Sequence, residues 1–172
     1  MSTNKYQKHI LVLPEDDANR QIAHGFAKEP KLNDRVIEVA RSAKGWRNVL
    51  NAFQNTYVHK MDKGKGKMMF LLMLIDFDGQ YEKRLGYIKN EIPDELKERV
   101  FVLGAQSEPE NLKNKIANLK TFENIGKALA QDCVNETDNI WGHDLLKHNR
   151  NELERMISSV KPFLFKEMNN QT

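Results

Sequence analysis

The longest apolar run, Phe70-Leu71-Leu72-Met73-Leu74-Ile75, passes directly into Asp76-Phe77-Asp78-Gly79. An uninterrupted apolar run bounded by turn residues predicts a strand buried on both faces. His9–Leu13, closed by Pro14, predicts an earlier strand, as do Arg35–Ala40 and, later, Val100–Gly104. Helical spacing fills the intervals. Ile22, Ala23 and Phe26 share one face of a helix over Ala18–Ala27. Trp46, Val49, Leu50 and Phe53 form the core stripe of a helix over Trp46–Asn55, and Tyr81, Leu85 and Ile88 that of a helix over Tyr81–Asn90. Asp94–Arg99 predicts a short helical turn. Ser107 is placed to cap a helix beginning near Pro109. Further on, Phe122, Ile125, Leu129 and Cys133 make one apolar stripe. A polar break at Asn135–Asn139 follows, then a helix over Trp141–Lys161. Pro162–Phe165 should dock on the core, and Met168–Thr172 should fray.

Strand and helix alternate four times, which implies an α/β fold. We expect a Rossmann-like parallel sheet of about four strands flanked by helices, with a helical C-terminal extension. The 172 residues suit one domain, with the α/β core over 8–115 and the extension over 116–168.

Open parallel sheets bind ligands beyond the carboxyl ends of their strands. Acids gather there: Glu15-Asp16-Asp17 after the first strand, Asp76 and Asp78 after the third, Glu108 and Glu110 after the fourth. Strand alternation puts Asp76 and Asp78 on one side and Phe77 on the other. Two carboxylates so placed repel unless a cation lies between them, and a hard divalent metal takes oxygen ligands. Caps and turns also use acids, and Asp16 or Asp17 can cap the first helix. Three acids after one strand exceed what a cap needs.

Composition narrows the partners. Lys+Arg 27 against Asp+Glu 24 is a mild excess, so a surface for nucleic acid must be local. Arg41 and Lys44 follow the second strand and share the edge that carries the acids, which makes them candidate phosphate contacts. Lys60–Lys67 is basic and contains glycines, which suits contact with phosphates, but it lacks the GxxxxGK[ST] spacing and enters the third strand from the opposite edge; a solvated connector is the slightly favoured reading. His143 and His148 are five residues apart, not one helix face, so His143, Asp144 and His148 read as polar surface or interface. Cys133, the one cysteine, excludes an internal disulfide and a Cys-rich zinc site, and reads as core in a reducing cytoplasm. The polar N-terminus lacks a signal-peptide core, and Met68–Ile75 is too short to span a bilayer, so a cytoplasmic protein without a membrane partner is expected.

The order of elements, with Glu15 in LPEDD and Asp76/Asp78 in LIDFDG, resembles the Toprim domain of primases, topoisomerases, RNase M5-like nucleases and OLD-family nucleases. EPENL looks like the further carboxylate of stand-alone Toprim proteins, and ARSAKGWRNVL like their second strand–helix unit. The resemblance covers about Lys8–Lys115. One departure is Asp16, where many members have glycine; Asp16 could itself be the inward-facing acid. The resemblance implies that Asp76, Asp78 and one of Glu108 and Glu110 hold Mg²⁺ or Mn²⁺, with Glu15 as ligand or general acid/base. It thereby implies phosphodiester cleavage of nucleic acid, in the setting of a bacterial defence or toxin-type effector. The alternative is a non-catalytic protein of the same fold, docking on a larger nucleic-acid enzyme or on its own copy through the C-terminal helices. A phosphoryl-accepting, receiver-like protein fits less well, for want of a lysine after a fifth strand.

Overall fold

A computed structural model describes residues 3–116 and 118–166. The strands are β1 (His9–Pro14), β2 (Ile37–Val39), β3 (Met69–Leu74) and β4 (Val100–Leu103). All pair in parallel, in the order β2-β1-β3-β4. The fold is therefore α/β and Rossmann-like. β2 is three residues shorter than the apolar pattern suggested, because only Ile37–Val39 ladder onto β1.

The register sorts the side chains into two cores. Val12 pairs with Leu72, and Leu72 with Phe101. Ile10, Val12, Phe70, Leu72, Phe101 and Leu103 thus fill one face, while Leu11, Leu13, Leu71, Met73, Val100 and Val102 fill the other. Burial on both faces is what makes β3 a continuous apolar run.

Two helices cover the first face: α1 (Asp17–Ala27) through Ala23 and Phe26, and the last helix, α7 (Arg150–Leu164), through Met156, Val160 and Leu164. The second face takes α2 (Trp46–Ala52), α3 (Val58–Met61) and α4 (Tyr81–Asn90). Between α2 and α3 the chain passes through a π-helical turn, Phe53–Tyr57, so the helix expected to stop near Asn55 runs on in wound-out form to Met61. α5 is Pro109–Lys115 and α6 is Phe122–Asn135. α6 lies on the outside of α1, and the two backbones meet at glycines. A Cβ on Gly25 would come within 2.0 Å of the Glu123 carbonyl oxygen, and one on Gly126 within 1.9 Å of the Ile22 oxygen. Only glycine lets the helices approach so closely.

Three expectations change. Glu108, not Ser107, is the N-cap of α5; the Ser107 hydroxyl accepts from the Asn111 side chain instead. The final helix begins at Arg150, after a short 3-10 turn at Lys147–Asn149, rather than at Trp141. Buried Asp132 anchors the stretch before that helix. It accepts hydrogen bonds from the Thr137 hydroxyl and from the backbone N–H groups of Asn139, Ile140 and Trp141, which holds that stretch in a folded loop. Pro162 lies inside α7 and Leu164 is buried, so the apolar ending does dock on the core. The expected fraying of Met168–Thr172 lies outside the described residues. Among the described residues no helix is long and apolar enough to cross a membrane.

Candidate functional site

In the order β2-β1-β3-β4 the chain reverses direction of travel across the sheet between β1 and β3, and their carboxyl ends open the crevice where such folds bind ligands. Glu15 follows β1 and Asp76 lies just past β3. The two are tied: the Glu15 N–H donates to the Leu74 carbonyl at 2.9 Å, and the Asp76 N–H donates to Glu15 Oε2 at 2.6 Å.

Asp16 caps α1, its carboxylate accepting from the Asn19 N–H at 2.9 Å. Its φ of −144° is extended backbone, so aspartate stands without strain where a glycine is common in the Toprim pattern. The Asn19 side-chain amide, buried, donates at 3.0 Å to both Asp16 Oδ1 and Asp76 Oδ1. One amide thus joins a cap to the strand-end acid. Nothing in the spacing singled out Asn19; the available signal was an amide in the first turn after three acids.

Glu15 is half-buried and Asp76 is only 5 % exposed. Burial pushes the Asp76 carboxyl up to about 8; the Asn19 hydrogen bond opposes this, while Asp16 and Glu15 add to it. Burial also raises Glu15, against the Asp76 N–H, with Asp16 and Asp78 pushing the same way. The cluster therefore carries more negative charge than its surroundings neutralise.

Asp78 is placed differently from its expected partnership with Asp76. Phe77-Asp78-Gly79-Gln80 is a tight turn closed by the Gln80 N–H on the Phe77 carbonyl, with φ of 49° at Asp78 and 74° at Gly79. Strand alternation ends before it, since β3 stops at Leu74. Asp78 is exposed and pairs with Arg84, whose Nη1 donates to Asp78 Oδ2 at 2.9 Å and to the Asp76 carbonyl at 2.6 Å. The Arg84 guanidinium lies 4.7 Å from the Trp46 ring centre, and that of Arg47 lies 4.6 Å from the same ring. Tyr87 meets Trp46 edge-on at 5.8 Å and is exposed. Trp46, expected in the core, is only half-buried; it and Tyr87 give the rim of the crevice an aromatic, cationic wall.

Glu108 and Glu110 are exposed at the start of α5, and their side chains touch none of the cluster. The expected convergence of acids from three strand ends is thus found for two. Arg41 and Lys44 are exposed in the β2–α2 loop, which wraps the cluster: the N–H groups of Lys44 and Gly45 both donate to the Glu15 carbonyl, with Lys44 in the left-handed region at φ 63°.

The extension also reaches the site. His148 packs edge-on against Phe77 and Tyr81, with ring centres 5.6 and 4.6 Å away. Its Nε2 lies 2.7 Å from the Gly104 carbonyl, which can only accept, so Nε2 carries the proton. Burial keeps the ring below the usual histidine range, hence neutral at pH 7. Asn149 binds both the N–H and the carbonyl of Gly104, where a Cβ would strike the Ile75 oxygen. His148 is a half-buried brace behind the Asp76–Gly79 turn, not surface; His143 caps its own loop by accepting from the Leu145 N–H, and Asp144 pairs with Lys147 outside. Cys133 is core, with burial pushing its thiol up to about 12.

Among the described residues no group of three or more His, Cys, Asp or Glu side chains is arranged to hold a metal ion. The carboxylates nearest one another are those of Asp16 and Asp76, both held by the Asn19 amide, so the most that a hard cation of the magnesium type would find here is one or two carboxylate oxygens. Such a cation is commonly held by one or two carboxylates, water and substrate phosphate. No family model, no curated protein and no solved structure matches the chain.

Proposed function

We propose that this chain is a Mg²⁺- or Mn²⁺-dependent nuclease of Toprim type, hydrolysing phosphodiester bonds at the crevice between β1 and β3. The observation that supports it best is the cluster of Glu15, Asp16 and Asp76, in which burial, helped by repulsion from Asp16 and Glu15, holds Asp76 protonated up to about 8. A divalent ion would relieve that repulsion and favour the ionised carboxylates. Bound there, it would stabilise negative charge on the scissile phosphate and supply an activated water.

The protein's own groups divide the remaining work. Asp76 and Asp16 would hold the cation, their carboxylates joined by the Asn19 amide. Glu15, hydrogen-bonded to the Asp76 backbone and with its carboxyl raised, is suited to move a proton at the water or the leaving oxygen. Arg84 keeps Asp78 at the rim. Arg41, Lys44 and Arg47 offer charge to phosphates, and Trp46 and Tyr87 offer ring surface to bases.

A second reading has its own support. Arg84 already neutralises Asp78, and Asn19 already satisfies an oxygen of Asp76, as in a site kept for structure. The chain would then bind nucleic acid within a larger complex without cutting it. Cleavage of plasmid, single-stranded DNA and RNA with Mg²⁺ or Mn²⁺ separates the two, comparing the wild type with the Asp76→Ala/Asp78→Ala double variant. The nuclease reading expects metal-dependent cleavage lost in the variant. Cleavage that survives the substitutions, or none with either metal alongside retained nucleic-acid binding, overturns it.

A further inference from the structure

At the opposite end of the sheet, against the amino ends of β1 and β3, lies a cavity of about 480 Å³. Lys5, Lys60, Lys63 and Lys65 line it, together with His9, Tyr57 and His59. Glu38 is the one acid in the lining, so the wall carries four lysines against one carboxylate. Among the described residues none of these lysines makes an ion pair. They are steadied by other means: Lys60 lies 5.4 Å from the Tyr57 ring centre and Lys65 lies 4.7 Å from that of Tyr6. Lys63 Nζ sits 3.3 Å from His59 Nε2, a contact between two basic side chains.

Surface lysines ordinarily spread apart in water. These are gathered because their loop is pinned from beneath. The Arg99 guanidinium donates to the carbonyls of Met61, Gly66, Lys67 and Met69, at 3.0 to 3.2 Å, so both ends of the lysine-bearing segment hang on one side chain. His9, 1 % exposed, stands in the cavity wall with Nδ1 donating to the Gln7 carbonyl, and its Nε2 has no hydrogen-bond partner among the described residues. An ordered concavity with uncompensated positive charge is the complement of a compact, multiply charged anion. Its volume suits a small molecule, in the range typical of ligand pockets.

We propose that this cavity is a binding site for a small ligand bearing condensed phosphoryl groups, held by Lys60, Lys63 and Lys65 and distinct from the carboxylate crevice. Pyrophosphate is the probe, titrated calorimetrically into the full chain without divalent metal. Saturable binding is expected, weakened at least tenfold in Lys60→Ala/Lys63→Ala and unchanged in Asp76→Asn. Both lysines are exposed, so the double variant should keep the wild-type circular dichroism and melting temperature. A Lys63→Glu variant provides a second test at one position. The same titration with ADP and with a short oligodeoxynucleotide distinguishes a free phosphorylated molecule from a strand backbone. Tighter binding of ADP or pyrophosphate than of the oligonucleotide, per phosphate, supports the assignment. The reverse order overturns it, as does the absence of saturable pyrophosphate binding or a titration that the lysine variants leave unchanged.

Discussion

Replacing Asp76 by asparagine should stabilise the metal-free protein, and only at neutral to alkaline pH. The unfolded chain loses the Asp76 proton near 3.8, whereas the folded chain keeps it up to about 8. Between these values the folded state binds the extra proton. Stability therefore falls as pH rises across that window and is lowest above it. The full separation corresponds to on the order of 5 kcal/mol. Water entry and side-chain relaxation around a half-open crevice reduce this, and we expect about 2 to 3 kcal/mol. Asparagine keeps an oxygen for the Asn19 amide and presents an N–H₂ toward Glu15 and Asp16, so it relieves the repulsion without leaving a donor or acceptor stranded. For a chain of this length that is a rise in melting temperature of roughly 5 to 10 °C at pH 8. The gap should close toward pH 4. Thermal melts of both proteins in EDTA across this range measure it. A gap equal at both ends, or a variant less stable at pH 8, would refute the picture of an uncompensated buried carboxylate. Adding Mg²⁺ at pH 8 should raise the melting temperature of the wild type and leave the variant unmoved.

Two further substitutions test how the C-terminal extension is attached. Asp132→Ala should cost about 3 kcal/mol in urea titration, because it strands the Thr137 hydroxyl and three backbone N–H groups in a buried loop. Glu152 is 3 % exposed; burial raises its carboxyl, but hydrogen bonds from Arg155 and Lys89 outweigh this and hold it below the usual range. Its contribution is therefore present above about pH 4.5 and lost as pH falls through the depressed value. Glu152→Gln should destabilise by about 2 to 4 kcal/mol at pH 7, and by progressively less as pH falls below about 4.5.

The topology was legible because a parallel sheet writes itself plainly. β1, β3 and β4 are buried on both faces and read as continuous apolar runs, and each is followed by a helix with its own stripe. Boundaries failed where tertiary bonds override local pattern. The π-helical turn after Ala52 follows no period that spacing can reveal. Trp141 and Leu145–Leu146 mimic a helix stripe, yet they lie in a loop whose entry is tied to the Asp132 carboxylate through the N–H groups of Ile140 and Trp141. A single buried acid, unremarkable in the sequence, thus fixes the chain from Thr137 to Trp141. Glu152 acts similarly from α7: it accepts from the Val102 N–H of the edge strand β4, so the extension completes the sheet rather than merely resting on it.

The site shows the same division between what a spacing can place and what only packing can. Position after a buried strand was enough to bring Glu15 and Asp76 together, since parallel strands must end along one edge. Position alone did not give the directions of Asp78, Glu108 and Glu110, which lie further along the chain from the strand ends, where turns set the backbone. Asp78 sits in left-handed backbone and turns outward to Arg84, while α5 carries its two glutamates into solvent. Three residues supplied by helices make the crevice what it is: Asn19 bridging two acids, Arg84 locking the turn, and His148 bracing it from the extension. Each is polar and lies on a helix or short helical turn whose apolar positions were accounted for, and such residues read as solvent-facing from periodicity alone. Their inward direction follows from the site's demand for partners. A buried carboxyl that is not matched by a cation has to be held by hydrogen bonds, and the nearest helix terminus supplies the amide. On that ground metal titration, rather than the motif, separates the proposed cation site from a set of caps: a cap gains nothing from metal, whereas at a cation site Asp76 should be both deprotonated and stabilised by it.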